Sequence, residues 1–315
     1  MGGGVSIVEW VGARAVEGGW CRPPSRVFAY NNFPRNTTTV LLSVFSDGAR
    51  EPSVVAKLCR NMDRVRQEFA NLQTVRRVAP AVAPQPLFVD RVEGFGVLGM
   101  EAVLGTGAFG WVDCLHRAPA AVETLVRLHG ALAGAAPRDG DPYRCVRDAV
   151  GFLQRHTRDA RAGTRAARIG EEILPAAAEG LLPPIPQHGD FYFGNMLFRG
   201  EEVSVIDWED FGAVCVPGYD LFSLFLSFFT PWRPAEVEWF FGNAQLAEKF
   251  RKGVRDYFRA LGIPLELAGG LLGFTVIQQF AYSERVGSSN AQALWQRLQA
   301  YLDNAERFAR LLEGL

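Results

Sequence analysis

Along the first hundred residues, short apolar or β-branched runs alternate with Pro, Gly, Asn and Asp, a pattern of strands and tight turns. Runs at 27–30, 38–45, 53–58, 86–89 and 96–103 predict a mostly antiparallel sheet, with Ser46-Asp47-Gly48 turning between two of them. One segment, 61–78, carries Val65, Phe69, Leu72 and Val75 at helical spacing and stops before Pro80, so it predicts a helix between the third and fourth strands. Past Gly105-Thr106-Gly107 the period turns helical, over 118–132, 143–156, 218–229, 235–261, 265–286 and 291–312. The exception is 187–210, which reads loop, strand, tight turn at Arg199-Gly200, strand: a polar hairpin set among helices. The expected fold is α+β and bilobal. Residues 1–104 would form a small antiparallel β lobe with one helix, and residues 105–315 a larger, mainly helical lobe.

Composition narrows the class. With 315 residues, 48% of them hydrophobic and 21% charged, the chain can bury a core and is not a disordered one. A formal net charge of −1 lacks the basic field of a general nucleic-acid binder. No apolar run of about 18 residues is present, and the start has no basic-then-apolar leader. The opening MGGGVS matches the loose myristoylation pattern at Gly2 and Ser6, a low-information match. Five scattered cysteines, with no CxxC or Cys/His cluster, point to a reducing compartment. The expectation is a cytoplasmic protein with no nucleic-acid or membrane partner, either monomer or homodimer.

Two charge features sharpen this. Residues 1–105 carry a balance of +3 and residues 106–315 one of −4, and the stretch 169–248 holds 13 acids against Arg199 and Arg233. Among 33 basic residues only Lys57, Lys249 and Lys252 are lysines. A lysine in an apolar run, as in Val54-Val55-Ala56-Lys57-Leu58, therefore stands where an arginine was not used.

The polar hairpin carries most of the chemistry. Residues 188–198 read HGDFYFGNMLF and residues 203–210 read VSVIDWED. Asp190 and Asn195 lie in a loop leading into a strand, and Asp207 ends the strand that returns beside it, which gathers three oxygen-bearing side chains. A magnesium nucleotide needs such a group, because Mg2+ takes oxygen ligands and keeps several waters. A further carboxylate, not tied to metal, can accept the proton of an attacking hydroxyl. Any one of these residues alone reads as a turn former; the ordered set does not.

These segments resemble the catalytic loop (His-Gly-Asp, four variable residues, Asn) and the Ile-Asp-Trp/Phe-Glu metal-binding run of the aminoglycoside phosphotransferase and choline kinase group, within the protein-kinase-like fold. The resemblance implies Asp190 as catalytic base, Asn195 and Asp207 as Mg2+ ligands, and His188 as a packing residue. It also implies a strand lysine that holds nucleotide phosphates and a helix glutamate that orients it. Lys57 is the strand lysine. Glu68 falls inside the apolar stripe of 61–78, where a carboxylate needs a partner, and Lys57 is the available one. The phosphate loop departs from the kinase pattern: NNFPRNTTT at 31–39 has no glycine, which leaves Asn36 and Thr37 as phosphate donors or the segment as a plain polar turn. Residues 96–104 (GVLGMEAVL) resemble the strand and hinge that meet the adenine edge, with Glu101, Ala102 and Val103 as lining; a buried central strand reads the same way. Pro217-Gly218-Tyr219-Asp220-Leu221 resembles the Pro-x-x-Asp-Leu element, in which Asp220 braces the catalytic loop.

Asp220 follows Asp207 by thirteen positions with no Ser or Thr between them, too short for the activation segment of a protein kinase. The expected function is a small-molecule kinase that uses Mg2+ with ATP or GTP to phosphorylate a hydroxyl of an aminoglycoside, another antibiotic, an amino alcohol or a sugar. The acidic stretch favours a cationic acceptor by long-range attraction. The aromatic run 228–241, with Trp232, Trp239 and four Phe, reads either as helical core or as a pocket wall. The alternative is a catalytically silent kinase-like module that binds nucleotide or a partner. The glycine-free loop favours it; the intact Lys57, Glu68, Asp190, Asn195 and Asp207 set opposes it.

Overall fold

The structure is a computed structural model that describes residues 6–30, 39–133, 140–157, 159–228, 234–288, 291–313 and 315. By packing it divides into two units, Met1–Gly107 with Met196–Glu209, and Ala108–Asn195 with Asp210–Leu315.

The first unit is built on an antiparallel sheet. Helix α1 (Ile7–Glu17) opens it, capped reciprocally: the Ser6 hydroxyl accepts the Glu9 N–H, and the Glu9 carboxylate accepts the Ser6 N–H. Strands β1 (Ser25–Tyr30), β2 (Thr39–Ser46) and β3 (Val54–Cys59) follow, then helix α2 (Met62–Val78) and strands β4 (Pro86–Val92) and β5 (Phe95–Glu101). Their order in the sheet is β1-β2-β3-β5-β4. The apolar runs of the sequence coincide with these strands, because each must bury one face against α1 or α2. Val11 and Ala15 of α1 join Leu42, Val44, Val54, Ala56 and Val97 in the core, and Trp20 stacks on Phe88. Helix α1 is absent from the hydrophobic-pattern reading; its local signal is the Ser-x-x-Glu start.

Strand β3 is central, and Lys57 on it lies between Leu41 of β2 and Leu98 of β5. The polar hairpin, β6 (Met196–Arg199) and β7 (Glu202–Val205), packs within this same unit: Thr106 bridges Phe198, and the Val205 N–H donates to the Val82 carbonyl at 2.6 Å. A linear division at residue 105 does not include that placement, which long-range backbone pairing creates.

The second unit is mainly helical: α3 (Gly110–Leu132), α4 (Arg144–His156), α5 (Ala160–Ala178), α6 (Tyr219–Leu226), α7 (Pro234–Gly242), α8 (Ala244–Leu261), α9 (Ala268–Arg285), α10 (Ala291–Asp303) and α11 (Ala305–Leu312). Helix α9, buried along most of its length, packs against α4, α5, α6 and α10. Phe222, Phe225, Phe250, Phe258 and Phe274 fill the core. Helix α5 is not in the sequence reading, since Gly163, Gly170 and Pro175 interrupt its pattern, yet it buries Ala162, Ala166, Ile169 and Ile173. The predicted helix 235–261 is two helices, because the Asn243 side chain caps α8 through the Leu246 N–H. Likewise 291–312 breaks at Asn304.

Gly99 of β5 tests the tightness of the sheet core, since a Cβ there would lie 2.2 Å from the Phe88 ring. Gly99→Ala should destabilise the protein by about 1–3 kcal/mol through overpacking. In urea titrations, adding Phe88→Leu should recover part of that loss, so that the double variant is more stable than the sum of the single effects predicts.

Candidate active site

In the first unit the site is organised by one buried ammonium. Lys57 is 9% exposed. Its Nζ lies 2.8 Å from Glu68 Oε2, 2.6 Å from Asp207 Oδ1 and 3.2 Å from Glu209 Oε2, three carboxylates for three N–H donors. Helix α2 delivers Glu68 from the side that also buries Val65, Leu72 and Val75. The same helix holds the turn after β7: the Asn71 Nδ2 donates to the Trp208 carbonyl at 2.6 Å, and Arg64 pairs with Glu209. Trp208 is fully buried, and its Nε1 donates to the Val205 carbonyl at 2.7 Å. So fixed, Asp207 takes a φ of 65°, a left-handed conformation uncommon for a residue with a side chain. Sequence reasoning found Lys57, Glu68 and Asp207 but not Arg64 or Asn71. Their signal is the helical spacing of 64, 68 and 71.

Oxygens of Glu68, Asp207 and Glu209 lie within 4.8 Å of one another, a hard-donor set of the kind a divalent cation takes. Burial alone would lower the lysine, but Glu68, Asp207 and Glu209 more than reverse it and hold Lys57 protonated above its ordinary range. Burial raises Glu68 to about 7, with Lys57 opposing and the Asp207 charge adding.

In the second unit, residues 188–195 form a loop that closes in a 3-10 turn, Phe193–Asn195. Asp190 is exposed, and Asn195 is buried. The Asn195 Nδ2 donates at 3.0 Å both to Asp190 Oδ2 and to the Asp190 carbonyl. Both amide hydrogens are thus committed, and the amide oxygen is the group that remains for a cation. The Asp190 N–H donates to His188 Nδ1 at 3.2 Å, so the buried His188 ring braces the loop. Asp220, at the start of α6, is fully buried and accepts the N–H of His188 at 2.6 Å and of Gly189 at 3.0 Å. Gly189 has φ 94°, and a Cβ on it would meet the Asp210 carbonyl at 2.9 Å, so only glycine suits the place. A cavity of about 310 Å³ opens beside Gly189, lined among others by Asp210, Asp141, Cys145, Gln278 and Tyr282. Asp141 pairs with Arg147, Asp148 lies 3.7 Å from both Arg144 and Arg285, and Asp210 accepts from the Tyr282 hydroxyl at 3.3 Å.

The sequence matches the phosphotransferase enzyme family over residues 43–254, two thirds of the chain. The chain belongs to that family. Comparison with curated protein sequences gives no match. Among solved structures, a thermostable mutant of aminoglycoside phosphotransferase APH(4)-Ia in ternary complex with ADP and hygromycin B is similar at 15% identity, with 98% of this chain and 100% of that one covered and a TM-score of 0.57. A choline/ethanolamine kinase family protein from Mesorhizobium loti is similar at 20% identity, with 91% of each chain covered and a TM-score of 0.58. Amicoumacin kinase hAmiN, in complex with AMP-PNP, Ca2+ and Ami, is similar at 12% identity, with 94% and 93% covered and a TM-score of 0.57. The fold is that of these kinases.

Other expected site residues of the phosphotransferase are placed as follows. Glu101 ends β5, is exposed, and donates its N–H to the Gln85 carbonyl; Val103 follows, half-buried. Asn36 and Thr37 lie outside the described residues, as does Trp232. Phe240 is core, against Phe250 and Phe308, while Trp239 meets Trp111 edge-on at 4.8 Å. No helix among the described residues is long and apolar enough to cross a membrane.

The Glu68 shift gives a pH dependence of definite sign. A carboxyl raised on folding stabilises fully below its unfolded value of 4.5 and loses that contribution as pH rises through about 7. In metal-free buffer, the wild type should therefore lose stability relative to Glu68→Gln between pH 5 and about 8, by about 3 kcal/mol at most. Parallel stability-against-pH curves for the two proteins would remove the assignment.

Proposed function

We propose that this small-molecule phosphotransferase transfers the γ-phosphoryl group of ATP or GTP, with Mg2+, to a hydroxyl of a small acceptor. The observation that carries the reading is the exposed Asp190, whose carboxylate and backbone carbonyl each accept from the Asn195 amide, on a loop whose His188 and Gly189 N–H groups are tied to Asp220. Asp190 takes the hydroxyl proton as the new O–P bond forms; the bond from the γ-phosphorus to the bridging oxygen breaks, and a nucleoside diphosphate leaves. Lys57, oriented by Glu68, holds nucleotide phosphate oxygens. Asn195 and Asp207 are the proposed oxygen donors for Mg2+, which when bound neutralises phosphate charge. Glu101 and Val103 are the proposed base contacts, and Asn36 and Thr37 the proposed phosphate donors. Neighbours of the same fold with ADP or AMP-PNP in their complexes support nucleotide use.

The cavity beside Gly189 is the proposed acceptor site. Its carboxylates, the Gln278 amide and the Tyr282 hydroxyl suit a hydroxylated amine, an aminoglycoside or an amino alcohol. Arg144 and Arg285 beside Asp148 temper the acidity of the region, so charge attraction is a weaker guide there than the 169–248 balance implied. Cysteines without disulfides among the described residues suit a cytoplasmic protein.

Asp190→Asn should lower turnover by about 10²–10⁴-fold while leaving nucleotide affinity unchanged in calorimetry; retained turnover would falsify the base assignment. Lys57→Ala should raise the nucleotide KM and cut turnover, and wild-type kinetics would take Lys57 out of the site. Both are measured on the acceptor found by screening hydroxylated amines, sugars and antibiotics with Mg2+ and ATP or GTP. Tight nucleotide binding with no transfer across that panel would favour the binding-module alternative.

A further inference from the structure

Two of the chain's three lysines have no part in the phosphoryl-transfer reading, and they flank one groove. Lys249 and Lys252 stand on α8, and with Val122 and Val126 of α3 and Phe225 of α6 they line a cavity of about 280 Å³ in the second unit. Among the described residues it shares none with the cavity beside Gly189. Val122 and Phe225 are buried and give it an apolar floor. A Cβ at Gly253 of α8 would lie 3.0 Å from the Phe225 ring and 3.3 Å from Val122 Cγ2. The glycine therefore lets α8 settle against that floor and adds no side chain of its own to the groove.

Two ammonium groups and two carboxylates surround the groove, and only one of each is paired. Lys252 pairs with Asp256 one turn further along α8. Lys249 is half-buried and Glu123 of α3 is exposed; neither side chain has an ion-pair or hydrogen-bond partner among the described residues, so the two do not meet across the groove they share. Plain surface charge in this chain is carried almost entirely by arginine, so a lysine over an apolar floor offers a compact point charge where a planar fork was not used. Because the four charges cancel, a simple anion gains nothing from the local field. A molecule with one charge of each sign and an apolar body satisfies both open groups and the floor at once.

We propose that this groove binds a small zwitterion with an apolar side chain, of the apolar α-amino acid class. Its carboxylate meets Lys249, its ammonium meets Glu123, and its side chain covers Phe225. Neither the base assignment nor the acceptor of phosphoryl transfer enters the test, so the failure of either reading leaves the other standing.

The test is methyl NMR on the full-length protein labelled at valine, with L-phenylalanine and L-leucine as probes. Two further probes, 3-phenylpropionate and 2-phenylethylamine, keep the body of phenylalanine and lack one charge each. The Val122 and Val126 methyls should shift saturably with at least one amino acid at about 1–10 mM, and each single-charge probe should bind about tenfold more weakly or worse. Lys249→Met, which keeps an unbranched stem and removes the charge, and Glu123→Gln should each weaken amino-acid binding about tenfold, while Arg251→Met, at an exposed position of α8 outside the groove, should not. No saturable shift with either amino acid up to about 20 mM, equal binding of the single-charge probes, or wild-type affinity in Lys249→Met would overturn the proposal. Shifts that follow protein concentration with no probe present would assign the groove to a second copy of the chain and overturn it as well. Should a variant fail to fold, the comparison of the four probes on the wild type decides alone.

Discussion

A cation buried in the middle of a sheet is the constraint on which the first unit depends. Lys57 sits on the central strand with leucines on both neighbouring strands, out of reach of enough water to solvate it. An ammonium so placed must be met by oxygen atoms, and each carboxylate that meets it has to be carried there by some element. Helix α2 brings Glu68, and the turn after β7 brings Asp207 and Glu209. The docking of α2, the anchoring of Trp208 and the left-handed backbone of Asp207 therefore share a cause. A guanidinium, planar and five-donored, would not suit three carboxylates converging on one point, which explains a lysine here in a chain whose basic residues are nearly all arginine.

The second unit satisfies its buried charge differently. Asp220 faces backbone N–H groups instead of a cation, and the result is a loop clamped at two consecutive residues. Glycines at 189 and 218, both with positive φ, let the backbone turn tightly enough for the clamp to close. The two arrangements differ in what meets the buried group. Lys57 is met by side-chain carboxylates, whereas Asp220 is committed to backbone N–H groups, and Asp190 on the same loop keeps an exposed carboxylate.

Much of this was legible in the sequence where the signal is local. Strand runs, the 61–78 helix and the 188–210 hairpin follow from period and turn residues, and the Lys57–Glu68 pair followed from a scarce lysine and a carboxylate on an apolar stripe. Elements whose burial outweighs their propensity were not legible: α5 is helical despite Gly163, Gly170 and Pro175 because its alanines and isoleucines pack on α4 and α9. Nor could single polar residues with distant partners be read. Asn71 looks like any helix-surface asparagine until the Trp208 carbonyl, 137 positions away, is seen to accept its hydrogen bond. His129 and Tyr257 sit within apolar stripes of α3 and α8, where an isolated His or Tyr most often reads as filler.

The hairpin shows why the spacing within 188–210 is so readable. The chain leaves the second unit after Asn195 and returns to it at Asp210, so Asp207 is set by a two-stranded ribbon whose ends are both committed. Its register, Met196 opposite Val205 through Arg199 opposite Glu202, buries Met196, Phe198, Val203 and Val205 on one side. Bonds from Phe198 to Thr106 and from Val205 to Val82 leave that register no freedom to slip. One inserted residue would turn the buried side chains outward and move Asp207 off Lys57. The interval between Asn195 and Asp207 is accordingly a consequence of strand pairing, and a change in loop length there would act on the Lys57–Asp207 pair and on stability together.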